Sequence, residues 1–170
     1  MSQTASSHPA PLRDRVVLGL ATLGPIGTRL PAPGTFGSLA GLVAFAALLA
    51  WTDWPILGLF GGFFLLAIVS IPICSRVERI LGKTDPGEVI LDEFVAQPLV
   101  FVWSFPAFFA VRSPAEHLLL LAAGFALFRF FDILKPLGIK RLQSIGGGTG
   151  VVADDLAAAL VGSLLLSFFA

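Results

Sequence analysis

Most residues of this chain that could do chemistry are gathered into short clusters between long apolar runs. Asp85-Pro86-Gly87-Glu88-Val89-Ile90-Leu91-Asp92-Glu93 carries four carboxylates. Arg129-Phe130-Phe131-Asp132-Ile133-Leu134-Lys135-Pro136 spaces Arg129, Asp132 and Lys135 by threes, which sets them along one ridge of a helix. Gly146-Gly147-Gly148-Thr149-Gly150-Val151-Val152-Ala153-Asp154-Asp155 joins a glycine run to an acid pair. Pro33-Gly34-Thr35-Phe36-Gly37-Ser38 has no charge but places two hydroxyls, Thr35 and Ser38, among glycines. Carboxylates are costly beside a bilayer and repel one another within a helical turn, so a chain that collects them has a use for them. The chemistry they suit is that of a hard divalent cation such as magnesium, bound by one or two carboxylates, with waters and substrate phosphate completing its shell. Arg129 suits a two-pronged grip on phosphate oxygens, and Lys135 acts as a point charge.

Each cluster also has a plainer reading. Acids at a helix N-terminus are favoured by the helix dipole. Arg129 and Asp132 can neutralise each other and so make burial tolerable. A glycine run is more often a flexible turn than a phosphate cradle, although N–H groups at a helix N-terminus do bind phosphate. Gly37 and Gly41, four apart, suit close helix packing. If the helix begins at Glu88, then Glu88 and Asp92 share a face, and Glu93 lies about 100° further round. Asp154 and Asp155 are consecutive and cannot face one way, so one binds metal and the other orients a neighbour; the sequence does not say which.

Positioning these clusters falls to five apolar segments, Ser38–Trp51, Trp54–Ile73, Phe94–Val111, His117–Leu134 and Leu156–Phe169. Thr35 or Ser38 is a candidate N-cap for the first. A spanning helix needs about 20 residues. The second to fourth segments meet that, although Pro98 and Pro106 interrupt the third. The first and fifth are 14 residues each and span only if their flanks are also helical. The fold class expected is therefore all-α, an integral membrane bundle of about five helices, with three full crossings and two half-embedded helices as the alternative. Residues 1–12 read as a disordered tail and 13–170 as one membrane-embedded domain; Val16 to Leu23 suits a short interfacial helix.

Composition agrees with a membrane protein. Of the 170 residues, 56% are hydrophobic and only 13% charged, about half the usual charged share of a soluble domain, and the mean hydropathy is +0.90. A net charge of zero gives no reason to expect nucleic acid as a partner. Cys74 alone excludes an internal disulfide. Lys and Arg mark cytoplasmic loops. Five crossings with the N-terminus inside put nine of the eleven cations on one side, leaving Arg129 in a helix and Arg112 opposite. All four clusters fall on that cytoplasmic side. His8 lies in the tail and His117 at the far side, so neither suits a catalytic base, and no Gly-x-Ser-x-Gly elbow is present. A metal-activated water is the nucleophile left by elimination.

Taken in order, Pro33-Gly34-Thr35-Phe36-Gly37-Ser38-Leu39, Asp85-Pro86 through Asp92-Glu93, Arg129-x-Phe131-Asp132-x-x-Lys135-Pro136 and Gly147-Gly148-x-Gly150-Val151-x-x-Asp154-Asp155 resemble the phosphatidylglycerophosphatase A family. The resemblance runs from about residue 13 to the end. It departs where the family usually has a second proline two residues after Pro136; here that position is Gly138. The resemblance implies a multihelical, magnesium-dependent phosphatase of the bacterial inner membrane, and the charge bias puts its active site at the cytoplasmic face. It implies removal of the terminal phosphate of a membrane phospholipid, phosphatidylglycerophosphate, in phospholipid biosynthesis. On this reading Asp85, Glu88, Asp92, Asp132, Asp154 and Asp155 are the metal candidates. Asp92, Glu93, Asp132 and Asp155 are the catalytic candidates, and Thr35, Ser38, Arg129, Lys135 and Gly150 contact phosphate. The competing class is a small carrier with an acid-lined path, which requires polar residues spread through the depth of several helices instead of at one end.

Overall fold

Helices account for all the regular structure among the residues described by the computed structural model, which are 11–111 and 113–169. His8, Arg112 and residues 1–10 of the expected tail lie outside them. Four helices are long and apolar enough to cross a bilayer: α3 (Pro33–Trp51), α4 (Ile56–Leu81), α7 (Pro114–Leu134) and α8 (Gly147–Leu166). Short helices α1 (Leu12–Ala21) and α2 (Pro25–Arg29) precede them. Between α4 and α7 lie α5 (Leu91–Ala96), a 3-10 turn (Gln97–Phe101) and α6 (Ala107–Ala110).

The first and fifth apolar segments are longer helices than their apolar cores suggest. α3 starts at Pro33, whose fixed φ suits the first helical position. Neither Thr35 nor Ser38 caps it; Ser38 instead lies one turn in and donates its hydroxyl to the Gly34 carbonyl at 2.8 Å. α8 starts within the glycine run, at Gly147. At 19 and 20 residues, the two helices are about 28–30 Å long, enough to cross hydrocarbon. α7 is opened by a reciprocal cap in which Ser113 Oγ accepts from Glu116 N at 3.2 Å and Glu116 Oε2 from Ser113 N at 3.4 Å. α4 ends at Gly82 in the left-handed region, φ +64°.

The third segment, expected as a full helical crossing, is not one helix. Pro98 and Pro106 lack the N–H that an α-helix needs, and the chain there runs as α5, the 3-10 turn and α6. Broken backbone is tolerated at membrane depth only where protein covers it. That condition is met, since every residue from Val95 to Phe101 is buried. Three glycines admit the broken segment. A Cβ on Gly41 of α3 would strike the backbone of Phe94, one on Gly124 of α7 the Phe101 ring, and one on Gly162 of α8 would come within 3.0 Å of Val100. Phe45 stacks on Phe101 at 5.6 Å and on Phe60 at 5.5 Å, completing the core around it.

The outward faces of the long helices remain apolar, with Leu57, Phe64, Leu65 and Ile68 on α4 and Leu118 and Leu119 on α7 exposed. Trp51 and Trp54 are exposed at the α3–α4 connection, and the Trp103 N–H donates to Ser163 Oγ, near the end of α8, at 2.9 Å. All three tryptophans thus sit toward the end away from the carboxylates, as in an aromatic belt.

Candidate active site

The other end of the bundle gathers the N-termini of α3, α5 and α8 with the C-terminus of α7. There the side chains of Asp92, Glu93 and Asp155 each offer a carboxylate oxygen, all within 4.8 Å of one another. Asp92 and Asp155 are 5% and 3% exposed. Asp92 Oδ1, Glu93 Oε2 and Asp155 Oδ2 are buried oxygens with no protein partner. Asp132 lies within side-chain hydrogen-bonding reach of Asp155. Asp132 is also paired with Arg129, and its Oδ1 stands 3.9 Å from Lys135 Nζ. Arg129 Nη1 further reaches Ser38 Oγ at 3.3 Å and Glu93 Oε1 at 4.0 Å.

Of the consecutive acids, Asp155 joins Asp92 and Glu93, while Asp154 pairs with Lys135. Lys135 closes α7 in the left-handed conformation, φ 44°. Burial by itself would lower the pKa of its ammonium, but the Asp154 hydrogen bond and the charges of Asp154, Asp155 and Asp132 outweigh this and raise it. Five carboxylates thus face two cations in a largely buried group. Such an imbalance is costly unless protons or a cation join it, and an all-oxygen donor set is what a hard divalent cation takes.

Several expected residues are elsewhere. α5 begins at Leu91, not at Glu88, because the preceding residues are held in a turn. Val89 N donates to Pro86 O at 2.9 Å, and Ile90 N is tied to the Ala21 carbonyl of α1 at 2.9 Å. Glu88 therefore does not share a helical face with Asp92; it lies 3.5 Å from Lys83 Nζ. Asp85 is exposed and accepts from Gln143 Nε2 at 2.8 Å. Neither joins the three clustered carboxylates. Gly150 is buried, its N–H pointing to Gly146 O at 3.4 Å and its Cα face against the carbonyls of Leu142 and Gln143. It serves packing and not as an open donor. Ser38 braces Arg129, and Thr35 is half-buried in the first turn of α3.

Two further residues belong to the site's surroundings. A Cβ on Gly34 would fall on the Glu93 carboxylate, so the bare backbone there makes room for that acid. Gln97 is fully buried, with neither side-chain atom partnered. Its signal in the sequence was a carboxamide inside the otherwise apolar third segment. A cavity of about 560 Å³ at the opposite end is lined by residues that include Trp54, Phe105, Phe108 and His117 and has no carboxylate in its wall.

Apolar helices with a sequestered acidic group at one end define a multi-pass membrane protein with a polar site at its edge. The family model described as "Phosphatidylglycerophosphatase A" matches residues 19–170. A protein of Haemophilus influenzae named "Phosphatidylglycerophosphatase A" is 36% identical over 76% of this chain and 74% of its own. One of Escherichia coli with the same name is 28% identical over 80% and 73%. A Bacteroides thetaiotaomicron protein named "Putative phosphatidylinositol-3-phosphatase" is 33% identical over 80% and 82%. No solved structure matches. The chain belongs to the phosphatidylglycerophosphatase A family, and its class is that of phosphoric monoester hydrolases.

Proposed function

We propose that this protein is a magnesium-dependent lipid phosphatase that hydrolyses phosphatidylglycerophosphate to phosphatidylglycerol and phosphate, in the biosynthesis of membrane phospholipid. The observation that carries the reading is the convergence of one carboxylate oxygen from each of Asp92, Glu93 and Asp155, beside Arg129 and Lys135, in three side chains that each also keep a buried oxygen without a protein partner. Asp92, Glu93 and Asp155 would hold the magnesium ion. Once bound, magnesium would supply a Lewis acid for a phosphoryl oxygen and acidify a water. Asp132 accepts the proton of the attacking water, whose oxygen joins phosphorus as the bond to the glycerol oxygen breaks, and the proton passes on to that departing oxygen. Arg129 and Lys135 offset the charge that develops on the phosphoryl oxygens. Both cations are pre-oriented, Arg129 by Ser38 and Asp132, Lys135 by Asp154.

The lipid's acyl chains lie alongside the apolar outer faces, and its headgroup reaches the acidic end. The bias of Lys and Arg toward that end supports a cytoplasmic orientation in the bacterial inner membrane. Phosphate release from phosphatidylglycerophosphate by the purified protein tests the reading. Release with magnesium and none after chelation are expected. Hydrolysis of phosphatidylinositol 3-phosphate instead would shift the substrate toward the one named in the Bacteroides relative.

A further inference from the structure

Gln97 is 0% exposed, and both Nε2 and Oε1 lack a partner. A wholly buried carboxamide without a partner is unfavourable, since its lost hydration is not replaced. Its place in the fold gives it something to bind. In a 3-10 helix, residues three apart lie on one face, so Gln97 shares the face of Val100. Val100 packs against Gly162 of α8 and lies within 3.1 Å of the Cβ position of Gly124 on α7, so this face looks into the α7–α8 seam. One turn from Val100 toward the acids, that seam contains Ala158 and Ala159, both fully buried and short. The next turn of α8 carries Asp155, and the same level of α7 carries Asp132. Gln97 also follows Glu93 by four residues along α5 and its continuation.

We propose that Gln97 is a positioning residue of the acid site. Its carboxamide holds an ordered water at the inner end of the group, and that water donates to the otherwise unpartnered oxygens of Asp155 and Asp92. Polar partners on several sides are what a buried water requires; Gln97 Nε2 donates to it, and Asp92 Oδ1 and Asp155 Oδ2 accept its two hydrogens. The carboxylates are thereby fixed in the orientation in which they take the cation. This inference rests on the metal-site reading above.

The test is manganese binding by the detergent-solubilised full chain, followed by paramagnetic resonance, together with thermal unfolding of the metal-free protein. Gln97→Met keeps the length and removes both polar atoms. The expected result is that manganese affinity falls about 10- to 100-fold, the range seen when a group supporting a ligand is lost, with the fold retained. Gln97→Asn, which keeps the amide donor at a shorter reach, should recover part of it. A Gln97→Met protein that is more heat-stable and binds manganese as the parent does would overturn the proposal, because the amide would then be only an unsatisfied burial. Gln97→Leu is read the same way should Gln97→Met not fold. Failure of the parent protein itself to bind manganese would overturn the metal site and this inference with it; unchanged binding in the variant alone overturns only this one.

Discussion

Asp92 and Glu88 are four residues apart in one acidic stretch, yet their surroundings are opposite. Asp92 is buried with a bare oxygen beside Glu93 and Asp155, and Glu88 is half-exposed next to Lys83. Asp92→Asn is expected to abolish phosphate release while the protein stays folded in the membrane. Glu88→Gln should leave turnover close to that of the parent, because an exposed ion pair contributes little, about 0–1 kcal/mol. Parallel phosphate-release assays on the two variants check this contrast, and equal losses would count against the clustered trio as the reacting group. Arg129→Lys should lose most turnover. Nη1 alone meets Ser38, Asp132 and Glu93, which leaves the rest of the planar guanidinium for the phosphate, and a lysine ammonium has no second prong to offer it.

At the scale of elements, the site depends on backbones that touch. α3 lies so close to α5 that Gly41 faces the Phe94 backbone and Gly34 faces the Glu93 carboxylate. Gly41→Ala therefore forces the two elements apart, and a loss of about 1–3 kcal/mol, the usual cost of overpacking, should appear as a lowered unfolding temperature. Gly34→Ala intrudes on a side chain that can move, so its effect should fall on turnover more than on unfolding temperature. Comparable loss of stability in both variants would contradict this division. The break at Pro98 and Pro106 belongs to the same logic. By shortening α5 it brings the end of the acidic stretch into the bundle, and the buried 3-10 turn is surrounded by protein on its remaining faces.

For the molecule as a whole, the chain passes between the two ends five times, four times as continuous helix and once through the broken segment. The clustered carboxylates and most cations share one end, and the tryptophans lie toward the other. Cys74 is 1% exposed and so should not react with a maleimide added outside the cell, which makes the natural chain a quiet background for labelling. Ser144→Cys, at the acidic end, should label only after the cytoplasmic face is opened. Asp53→Cys, between Trp51 and Trp54, should label in intact spheroplasts. The reverse pattern would invert the orientation proposed here.

Sequence alone determined the class of fold, the second and fourth membrane-length segments, the shared end of the polar clusters and the family. Those follow from hydropathy, charge bias and ordered motifs, which are local properties. Tertiary structure decided which acids meet. Asp85 and Glu88 look like Asp92 in a string of residues, but the Ile90–Ala21 hydrogen bond delays α5 until Leu91 and leaves them out of the trio with Glu93 and Asp155, Asp85 staying near enough to feel the charges of Lys135 and Asp132. Asp154 and Asp155 were interchangeable on paper until the packing of α7 against α8 gave the first to Lys135 and the second to Asp92 and Glu93. Gln97 and Gly34 gained their importance only from what stands opposite them. The physical reason is that a helical face is set by local periodicity, whereas the partner of that face is set by the approach of a distant segment.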